Sequence, residues 1–558
     1  MNRTRFPLII MGLIALVGVL IGRLIYLQWI QYDVLTALAH NQIQKTQKIS
    51  AFRGGIYDRN DVPLAISKQV YSAYAVPVKI QDPSEWAKRI APCIQMPVHV
   101  VLNSVKPNTS FVWLKRQLTD TQLQALRTLN DPAIGFLPEY KRVYPHGSLA
   151  AHVVGFTGMD SQGLSGVEYY YGSALSGQPG KQVLESDPLG VPIPLGKTTV
   201  IQPALDGNDV QLTLDLTLQY FTEKYLKEGI ERMGGIHGQA VVMDPHTGEV
   251  LAMASYPTFD LNQWQTDAAM TYGNPVVTDV YEPGSVFKLI TVASALEEGT
   301  VTAGTVLEVP ETLTIASDVI KEAHERNAGE TDQKSIEDIV KDSLNVGVSL
   351  VSQDLGNEKF FRYIQHFGFG KSTAVGLPGE TGGLVRPFTD WRAVDTATIA
   401  FGQGIGVSSM QLATAVSAIV NGGILVRPRI IQSVKTDTTH KLARGIRRNR
   451  ILTQDTANEM RSMMESVVQS GTAAHLKIPG YRIGGKTGTA NKPSPTGGYY
   501  ADRYVASFVG FLIPQALFYW LWLIVPKKAF GGQRLRGLFL DALRCRLLIT
   551  MGHPRYTK

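Results

Sequence analysis

The longest apolar run of this 558-residue chain lies at its amino terminus. Uncharged, mainly apolar residues fill positions 6–22, and after Arg23 the run resumes over positions 24–30. A helix of this length can cross the ~30 Å hydrocarbon layer of a bilayer. Arg3 and Arg5 precede the run, and flanking basic residues favour the cytoplasmic side. We therefore predict that residues 1–30 form a cytoplasmic tip and a single transmembrane helix in the cytoplasmic membrane, with the remaining chain on the periplasmic or extracytoplasmic side.

A cleaved signal peptide is the alternative interpretation of this segment. Ala37-Leu38-Ala39 resembles a cleavage site, but it lies far beyond the apolar run, which favours a retained anchor. Apolar residues continue at three- and four-residue steps after the membrane, and this spacing predicts a helix that extends to about Gln47.

Two domains are predicted beyond the anchor. Residues 31–205 mix short strand patterns, short helices and glycine-rich turns, which indicates a mixed α and β pedestal without a repeat. From residue 206 the pattern is a strand at 210–214, an amphipathic helix at Leu216–Met233 and a hairpin of strands 239–243 and 249–255. Helical patterns follow over 285–420, and strands return at 481–490 and 504–512. This order predicts an α+β domain at 206–511 with a mainly antiparallel sheet flanked by helices.

Composition and charge exclude several classes of protein. Cys93 and Cys545 are the only cysteines, too few for a disulfide framework, and no metal-ligand spacing is present, so we expect neither a metal nor a cofactor. The net charge of +7 comes from residues 512–558, which hold eight Lys and Arg against one acid. Residues 1–511 are therefore neutral overall, and we expect no nucleic-acid partner.

The first candidate chemical motif is Ser285-Val286-Phe287-Lys288. Serine and lysine three positions apart share one face of a helix, so the amine can reach the hydroxyl. A serine becomes a nucleophile when a neighbouring base takes its proton, and a lysine with a lowered pKa can act as that base. The alternative for this pair alone is a helix-capping serine followed by a solvated lysine.

The second candidate motif is Ser343-Leu344-Asn345, and the third is Lys486-Thr487-Gly488-Thr489. A hydroxyl and an amide two positions apart on a loop can both face one cleft, although a simple turn or helix cap has the same composition. In the third motif, glycine beside the Lys-Thr pair permits another backbone to approach closely. An edge strand with this sequence could accept an extended peptide. The alternative is a glycine-rich loop.

The combination of the three motifs is more specific than any one of them. Ser285 is the only serine with Lys at +3, Ser343 is the only one with Asn at +2, and Lys486 begins the only Lys-Ser/Thr-Gly sequence. They stand in the order known for penicillin-recognising serine enzymes. The intervals of 58 and 143 residues fit one domain.

Over residues 5–511 the chain resembles the class B penicillin-binding proteins, and among them the division-type peptidoglycan D,D-transpeptidases. Besides the anchor and the three motifs, the matching segments are Arg53-Gly54-Gly55-Ile56-Tyr57-Asp58-Arg59, Gly163-Leu164-Ser165-Gly166-Val167-Glu168, Tyr281-Glu282-Pro283-Gly284, Gly402-Gln403-Gly404-Ile405 and Asn421-Gly422-Gly423. The resemblance implies a non-catalytic pedestal of the dimerisation type and a transpeptidase domain. It also implies peptidoglycan stem peptides as substrates, β-lactams as covalent inhibitors, and a polytopic glycosyltransferase and other division proteins as partners.

The same resemblance implies a role for each motif residue. Ser285 would attack the penultimate D-alanine of a stem peptide, and Lys288 would take the serine proton. Ser343 and Lys486 would pass a proton to the leaving D-alanine. Asn345 would hold the peptide. The substrate-binding strand would contribute Thr487, Gly488 and Thr489, with the backbone N–H groups of Ser285 and Thr489 facing the oxyanion.

The carboxyl-terminal residues 512–558 depart from the family pattern. Their basic charge and tryptophan content change abruptly after Leu512. We consider three hypotheses: a shift of reading frame near codon 512, a second membrane helix over residues 508–525, and a sheet strand over residues 517–525.

Two other functions compete with the transpeptidase hypothesis. One is a serine D,D-carboxypeptidase or β-lactamase-like hydrolase, and the other is a non-enzymatic scaffold of wall synthesis with an impaired catalytic domain.

Overall fold

The computed structural model describes residues 5–526, apart from positions 36–43, 107–108, 110, 186–197, 267–271, 324–331, 436–439, 443–446, 495–496 and 514–518. The chain begins with the helix Arg5–Ile25, which continues as a π-helical turn over Tyr26–Ile30. Within it, Ile9–Ile30 is long and apolar enough to cross a membrane. Its side chains are exposed to the surroundings rather than packed against the protein, as expected of a segment whose solvent is lipid.

The described chain forms two compact units, and the smaller contains Met1–Arg53, Ser67–Lys141 and Gly177–Gly207. One part of it is an antiparallel sheet of three strands, Gln44–Ile49, Gly180–Glu185 and Thr198–Gln202. The other part packs three helices, Pro83–Ile94, Val98–Ser104 and Asp120–Thr128, on strands Pro63–Ala75, Val112–Lys115 and Ile134–Val143. A core that includes Trp86, Ile90 and Leu126 joins these elements.

The predicted helix to about Gln47 is wrong at its end, because Gln44–Ile49 is a strand. This segment pairs with Gly180–Glu185, more than a hundred residues further along the chain. Such distant backbone partners leave no trace in the local spacing of apolar residues. Positions 36–43 of the same prediction lie outside the described residues.

The larger unit contains Gly54–Ile66, Arg142–Ser176 and the chain from Asn208 onward. Its main sheet has five antiparallel strands in the order Val250–Tyr256, Gly235–Met243, Tyr519–Pro526, Tyr499–Ile513, Arg482–Pro493. The helices Leu216–Met233 and Gln454–Gln469 pack on this sheet. The predicted α+β class with a mainly antiparallel sheet is confirmed.

A block of helices completes the core of the larger unit. Ser409–Val420 is buried on every side, which suits a helix that is apolar all round, and a capping box of Ser408 and Gln411 begins it. The remaining helices of the block are Pro275–Thr278, Lys288–Glu297, Ile336–Lys341, Asn345–Leu355, Asn357–His366 and Asp395–Ala400.

Shorter elements complete the larger unit. They are the strand pairs Val306–Glu308 with Gln333–Ser335, Thr312–Ile315 with Asp318–Lys321 and Ile424–Val426 with Arg448–Arg450, the strands Ile56–Tyr57, Asp209–Leu212, Ile431–Lys435 and His440–Leu442, and the short helices Ala151–Val154, Gly166–Tyr170 and Gly172–Leu175. Single 3₁₀ turns are found at Pro77–Lys79, Trp264–Thr266, Gly284–Phe287, Phe388–Asp390 and Ala474–Leu476.

The structure of the carboxyl-terminal segment decides between two of the three hypotheses, the membrane helix and the sheet strand. Residues 508–513 belong to the strand Tyr499–Ile513, so a membrane helix over 508–525 is wrong. Tyr519–Pro526 is itself a strand and pairs on both sides, with Tyr499–Ile513 and with Gly235–Met243. The strand hypothesis is therefore confirmed. The frame-shift hypothesis and the predicted linear boundaries at 30, 205 and 511 stay predictions.

Because Tyr519–Pro526 lies inside the sheet, its removal should leave two strands without their partner. We expect a chain shortened to residues 1–513 to melt at least about 10 °C below the full chain, since each kcal/mol lost shifts the midpoint by ~2–4 °C in a domain of this size. A chain shortened to residues 1–526 keeps all five strands and is the matched control. Equal melting midpoints of the two shortened chains, followed by circular dichroism, would contradict the placement of this strand.

Candidate functional site

The serine of the first motif lies on a tight turn that enters a buried helix. Gly284–Phe287 is a 3₁₀ turn, and the helix Lys288–Glu297 follows it directly. Residues three apart eclipse one another in a 3₁₀ turn, so Ser285 and Lys288 share one face although the serine precedes the helix proper. Gly284 has φ of +56°, and a Cβ there would lie 2.9 Å from the carbonyl oxygen of Thr489. The turn therefore needs glycine at this position and lies against the strand of the third motif.

Lys288 joins the first motif to the second. Its side chain is fully buried, and its Nζ lies 2.5 Å from the Ser343 carbonyl oxygen, 3.2 Å from Ser343 Oγ and 2.8 Å from Asn345 Oδ1. All three contacts are hydrogen-bond acceptors on one short loop. The structure thus brings together three of the predicted residues.

The second motif lies between two helices. Ser343 follows Ile336–Lys341, and Asn345 is the first residue of Asn345–Leu355. The φ of Ser343 is +62°, a left-handed conformation that costs a residue with a side chain roughly 1–3 kcal/mol. This conformation accompanies the contact of both Ser343 oxygens with Lys288. Backbone strain of this kind is concentrated at functional sites.

The third motif lies on the strand Arg482–Pro493, the last strand in the sheet order. Lys486 is fully buried and donates through Nζ to the Thr487 carbonyl oxygen at 3.0 Å. The Thr487 hydroxyl lies 3.2 Å from that of Thr472. Among the described strands, Arg482–Pro493 pairs on one side only, so its other edge can accept an extended chain.

Gly488 explains how the strand Arg482–Pro493 approaches the turn Gly284–Phe287, which we call the serine turn, so closely. A Cβ at this residue would lie 2.4 Å from Ser507 Oγ, 2.9 Å from Val286 Cγ2 and 3.0 Å from the Pro283 carbonyl oxygen. The predicted close approach at this glycine is confirmed. Two of these three atoms belong to the segment that carries Ser285.

The two buried lysines both have lowered pKa values. Burial lowers the pKa of Lys288 well below the ordinary 10.5, and the positive charge of Lys486 lowers it further, while the Glu322 carboxylate acts in the opposite direction. Burial lowers the pKa of Lys486 to about 7, against the opposing charge of Asp342. A neutral amine is therefore accessible near neutral pH at this site, which is what a general base requires.

A cleft of about 710 Å³ opens above these residues. Ser285, Asn345 and Thr489 all line it, so each of the three motifs contributes to one wall of the same space. Lys288 and Lys486 lie beneath it, with no exposed surface. A half-buried hydroxyl that lines a cleft can be acylated by a substrate carbonyl once a base takes its proton.

Groups that the sequence patterns did not single out lie in the cleft or contact its motifs. Asp395 is 2% exposed and accepts hydrogen bonds from Arg386 and Arg392 at 2.8 and 2.9 Å. The spacing of three between Arg392 and Asp395 is a helical signal that could have identified this pair. Glu322, which contacts the start of the second motif, has no such signal, because it lies 23 residues before Asn345 in the chain.

Comparisons with known proteins agree with this geometry. The sequence matches the penicillin binding protein transpeptidase domain over residues 238–539 and the penicillin-binding protein dimerisation domain over residues 48–212. It is 34% identical over 498 residues to the stage V sporulation protein D of Bacillus subtilis strain 168, covering 88% of this chain and 76% of that protein. It is 33% identical over 512 residues to the probable peptidoglycan D,D-transpeptidase PenA of Neisseria meningitidis serogroup A, covering 91% and 85%.

A solved structure shows the same fold. The crystal structure of penicillin binding protein 3 from Mycobacterium tuberculosis, complexed with aztreonam, superposes with a TM-score of 0.70 and 27% sequence identity. The superposition covers 89% of this chain and 95% of that one.

The close contacts of Gly488 predict a stability effect at the site. We expect Gly488→Ala to lower the free energy of unfolding by about 1–3 kcal/mol, because the added methyl group must displace Ser507 Oγ and press on Val286. Gly304→Ala is the matched control, since a Cβ there meets no atom within 4 Å. Urea denaturation measures both. A control that loses as much stability as Gly488→Ala would show that the packing around residue 488 is looser than described.

The lowered pKa of Lys486 predicts a pH dependence of stability. Between about 7, its folded value, and 10.5, its ordinary value, the unfolded chain holds more protons at this residue than the folded chain does. The stability contributed by Lys486 therefore rises with pH in this window, by at most about 1.4 kcal/mol per pH unit. We expect the free energy of unfolding, compared at pH 7, 8 and 9, to increase more steeply in the parent than in Lys486→Met. Parallel pH curves would mean that Lys486 keeps an ordinary pKa.

Proposed function

The chain belongs to the penicillin-binding protein transpeptidase family, and on that premise we propose that it is a peptidoglycan D,D-transpeptidase that cross-links stem peptides of the cell wall through an acyl-enzyme at Ser285. The observation that carries this proposal is the shared cleft. Ser285, Asn345 and Thr489 line one space, and Lys288 hydrogen-bonds to the loop of Ser343 and Asn345 directly beneath it.

The first half-reaction transfers the peptide to the serine. Ser285 Oγ attacks the carbonyl carbon of the penultimate D-alanine while neutral Lys288 takes the hydroxyl proton. The backbone N–H groups of Ser285 and Thr489 donate to the oxyanion of the tetrahedral intermediate. The C–N bond then breaks and the serine ester forms, while the proton held by Lys288 passes by way of Ser343 and Lys486 to the departing amine of D-alanine, so that Lys288 is neutral again. The lowered pKa of Lys288 supports its role as the base.

The second half-reaction forms the cross-link. An amine of a neighbouring stem peptide attacks the ester carbonyl, the ester C–O bond breaks, and an amide replaces it. The proton lost by the attacking amine returns to Ser285 Oγ through Lys288. The same two N–H donors stabilise the second oxyanion, so one arrangement serves both steps.

Peptide binding is assigned to the edge strand and to Asn345. Asn345 Oδ1 accepts from Lys288, and Nδ2 donates to the Lys321 carbonyl oxygen at 3.1 Å. An amide NH₂ group has two donor hydrogens, so one remains for a substrate carbonyl. Thr487 and Thr489 are assigned to the terminal carboxylate. A β-lactam offers a similar carbonyl and carboxylate, and should therefore acylate Ser285 and remain attached.

The site of action is proposed from the anchor. The described helix Ile9–Ile30 is long and apolar enough to span a membrane. Arg3 and Arg5 support an orientation with the amino end in the cytoplasm and the catalytic domain on the extracytoplasmic side. We assign the activity to septal wall synthesis, with a polytopic glycosyltransferase and other division proteins as partners, because of the resemblance to division-type transpeptidases.

The rival functions receive less support. A hydrolase would pass the acyl group to water, whereas the relative PenA is named as a probable transpeptidase and is 33% identical along 91% of this chain. A non-enzymatic scaffold would need an impaired catalytic domain. Ser285, Asn345 and Thr489 instead line one cleft, and Tyr519–Pro526 completes the sheet.

Covalent labelling by a fluorescent penicillin tests the proposal. We expect stable labelling of the detergent-solubilised full chain, and its complete loss in Ser285→Ala. Lys288→Ala should slow labelling at least about 100-fold, because general-base assistance contributes ~10²–10⁴ to a rate. The measurement is the labelled fraction against time on a denaturing gel.

Ser372→Ala, which changes an exposed loop serine, is the matched control and should label like the parent. Rapid loss of the label from the parent would favour a hydrolase. A correctly folded parent that takes up no label would favour the scaffold.

A further inference from the structure

The helix that begins at Asn345 lacks a cap from its own sequence. Its N-cap residue is Leu344, whose side chain cannot accept a hydrogen bond, so the first backbone N–H groups need a partner from elsewhere. Glu322 provides it. Glu322 Oε2 accepts from the Asn345 N–H at 2.5 Å, and Oε1 accepts from the Val346 N–H at 2.9 Å.

The same segment also holds the Asn345 side chain. Glu322 follows the strand Asp318–Lys321, and the Lys321 carbonyl oxygen accepts from Asn345 Nδ2 at 3.1 Å. Two consecutive residues thus fix both the backbone and the amide of Asn345. With Nδ2 held in this way, Oδ1 is directed at Lys288 Nζ, 2.8 Å away.

We propose that Glu322 is a positioning residue of the acyl-transfer site, which holds Asn345 against Lys288 and supplies a negative charge that acts on the Lys288 amine. This inference rests on the proposed function of the same cleft. A carboxylate at the first turn of a helix is also favoured by the positive end of the helix dipole, so the ionised form suits both tasks.

The charges that act on Lys288 determine the sign of the expected effect. Lys486, on the strand Arg482–Pro493, disfavours the protonated amine, and Glu322 favours it. Asp342 acts on Lys486. The Ser343 and Asn345 oxygens that contact Lys288 carry no net charge. Removing the Glu322 charge therefore lowers the pKa of Lys288 further, so that the amine stays neutral to a lower pH.

Two consequences follow for acylation of Ser285. The acid limb of the pH–rate profile, which reports protonation of the free enzyme's base, moves to lower pH when the Glu322 charge is removed. The plateau of the rate falls as well, because Asn345 and Lys288 lose their fixed geometry and the amine becomes a weaker base. A helix cap with a purely structural role would change stability and leave the acid limb where it is.

The test uses the full chain in detergent, with fluorescent penicillin as the probe. The second-order rate constant of acylation is measured from pH 5.5 to 9 for the parent, Glu322→Gln, Glu322→Asp and Glu311→Gln. Glu311 is exposed, and its variant removes the same charge at the start of the same hairpin segment. Circular dichroism and a titration of penicillin-reactive sites give the folded fraction of each protein.

For Glu322→Gln we expect a plateau roughly 10- to 100-fold below that of the parent and an acid limb displaced to lower pH. Glu322→Asp keeps the charge but is one methylene shorter, so its acid limb should match the parent while its plateau is reduced. Glu311→Gln should match the parent in both respects.

An acid limb that does not move in Glu322→Gln would overturn the proposal and leave Glu322 as a helix cap only. If Glu322→Gln does not fold, Glu322→Asp alone decides. An acylation-rate plateau of Glu322→Asp equal to that of the parent would then overturn the proposal. Failure of the proposed function is distinguishable, because the parent would then take up no label, or would be labelled equally well in Ser285→Ala.

Discussion

The burial of two neighbouring lysines is the constraint on which the rest of the site depends. Lys288 and Lys486 have no exposed surface, and two ammonium groups so close together in a protein interior would repel each other strongly. Burial and the charge of Lys486 lower the pKa of Lys288, and burial lowers that of Lys486. Three oxygen acceptors face the Lys288 amine and hold it in place. Ser343 has a left-handed backbone, and both its carbonyl oxygen and its hydroxyl contact the Lys288 amine. An amine held neutral in this way has a lone pair available for a proton.

The segments that carry the two buried lysines approach each other unusually closely. Gly284, Gly402 and Gly488 make this possible: a Cβ on Gly402 would lie 2.2 Å from the Gly284 carbonyl oxygen, and one on Gly488 would meet the Pro283 oxygen at 3.0 Å. The segment around Gly402 matched the family pattern without a physical reason in the sequence. Its position against the serine turn supplies one, since any side chain there would push Ser285 away from the strand.

The sequence predicted those parts of the molecule whose signals are local. Ser285 and Lys288 are joined by a spacing of three, the glycines around Lys486 predicted a close approach, and the helix Leu216–Met233 followed from its apolar period. The strand Gln44–Ile49 and the contact of Glu322 with Asn345 were not predicted. Their partners lie far away in the chain, and neither spacing nor composition records a partner that only the fold brings near.

The carboxyl-terminal strand shows the same limit. An apolar, aromatic run such as Tyr519–Pro526 satisfies both a membrane helix and a buried strand, and local pattern alone does not separate them. Pairing separates them here: Gly235–Met243 and Tyr499–Ile513 both pair with this run and not with each other. The strand that carries Lys486 pairs only with Tyr499–Ile513 among the described strands, so it is tied to the rest of the sheet through Tyr519–Pro526. The position of the third motif at the cleft therefore depends on Tyr519–Pro526, and a change in that strand acts on the site through the sheet.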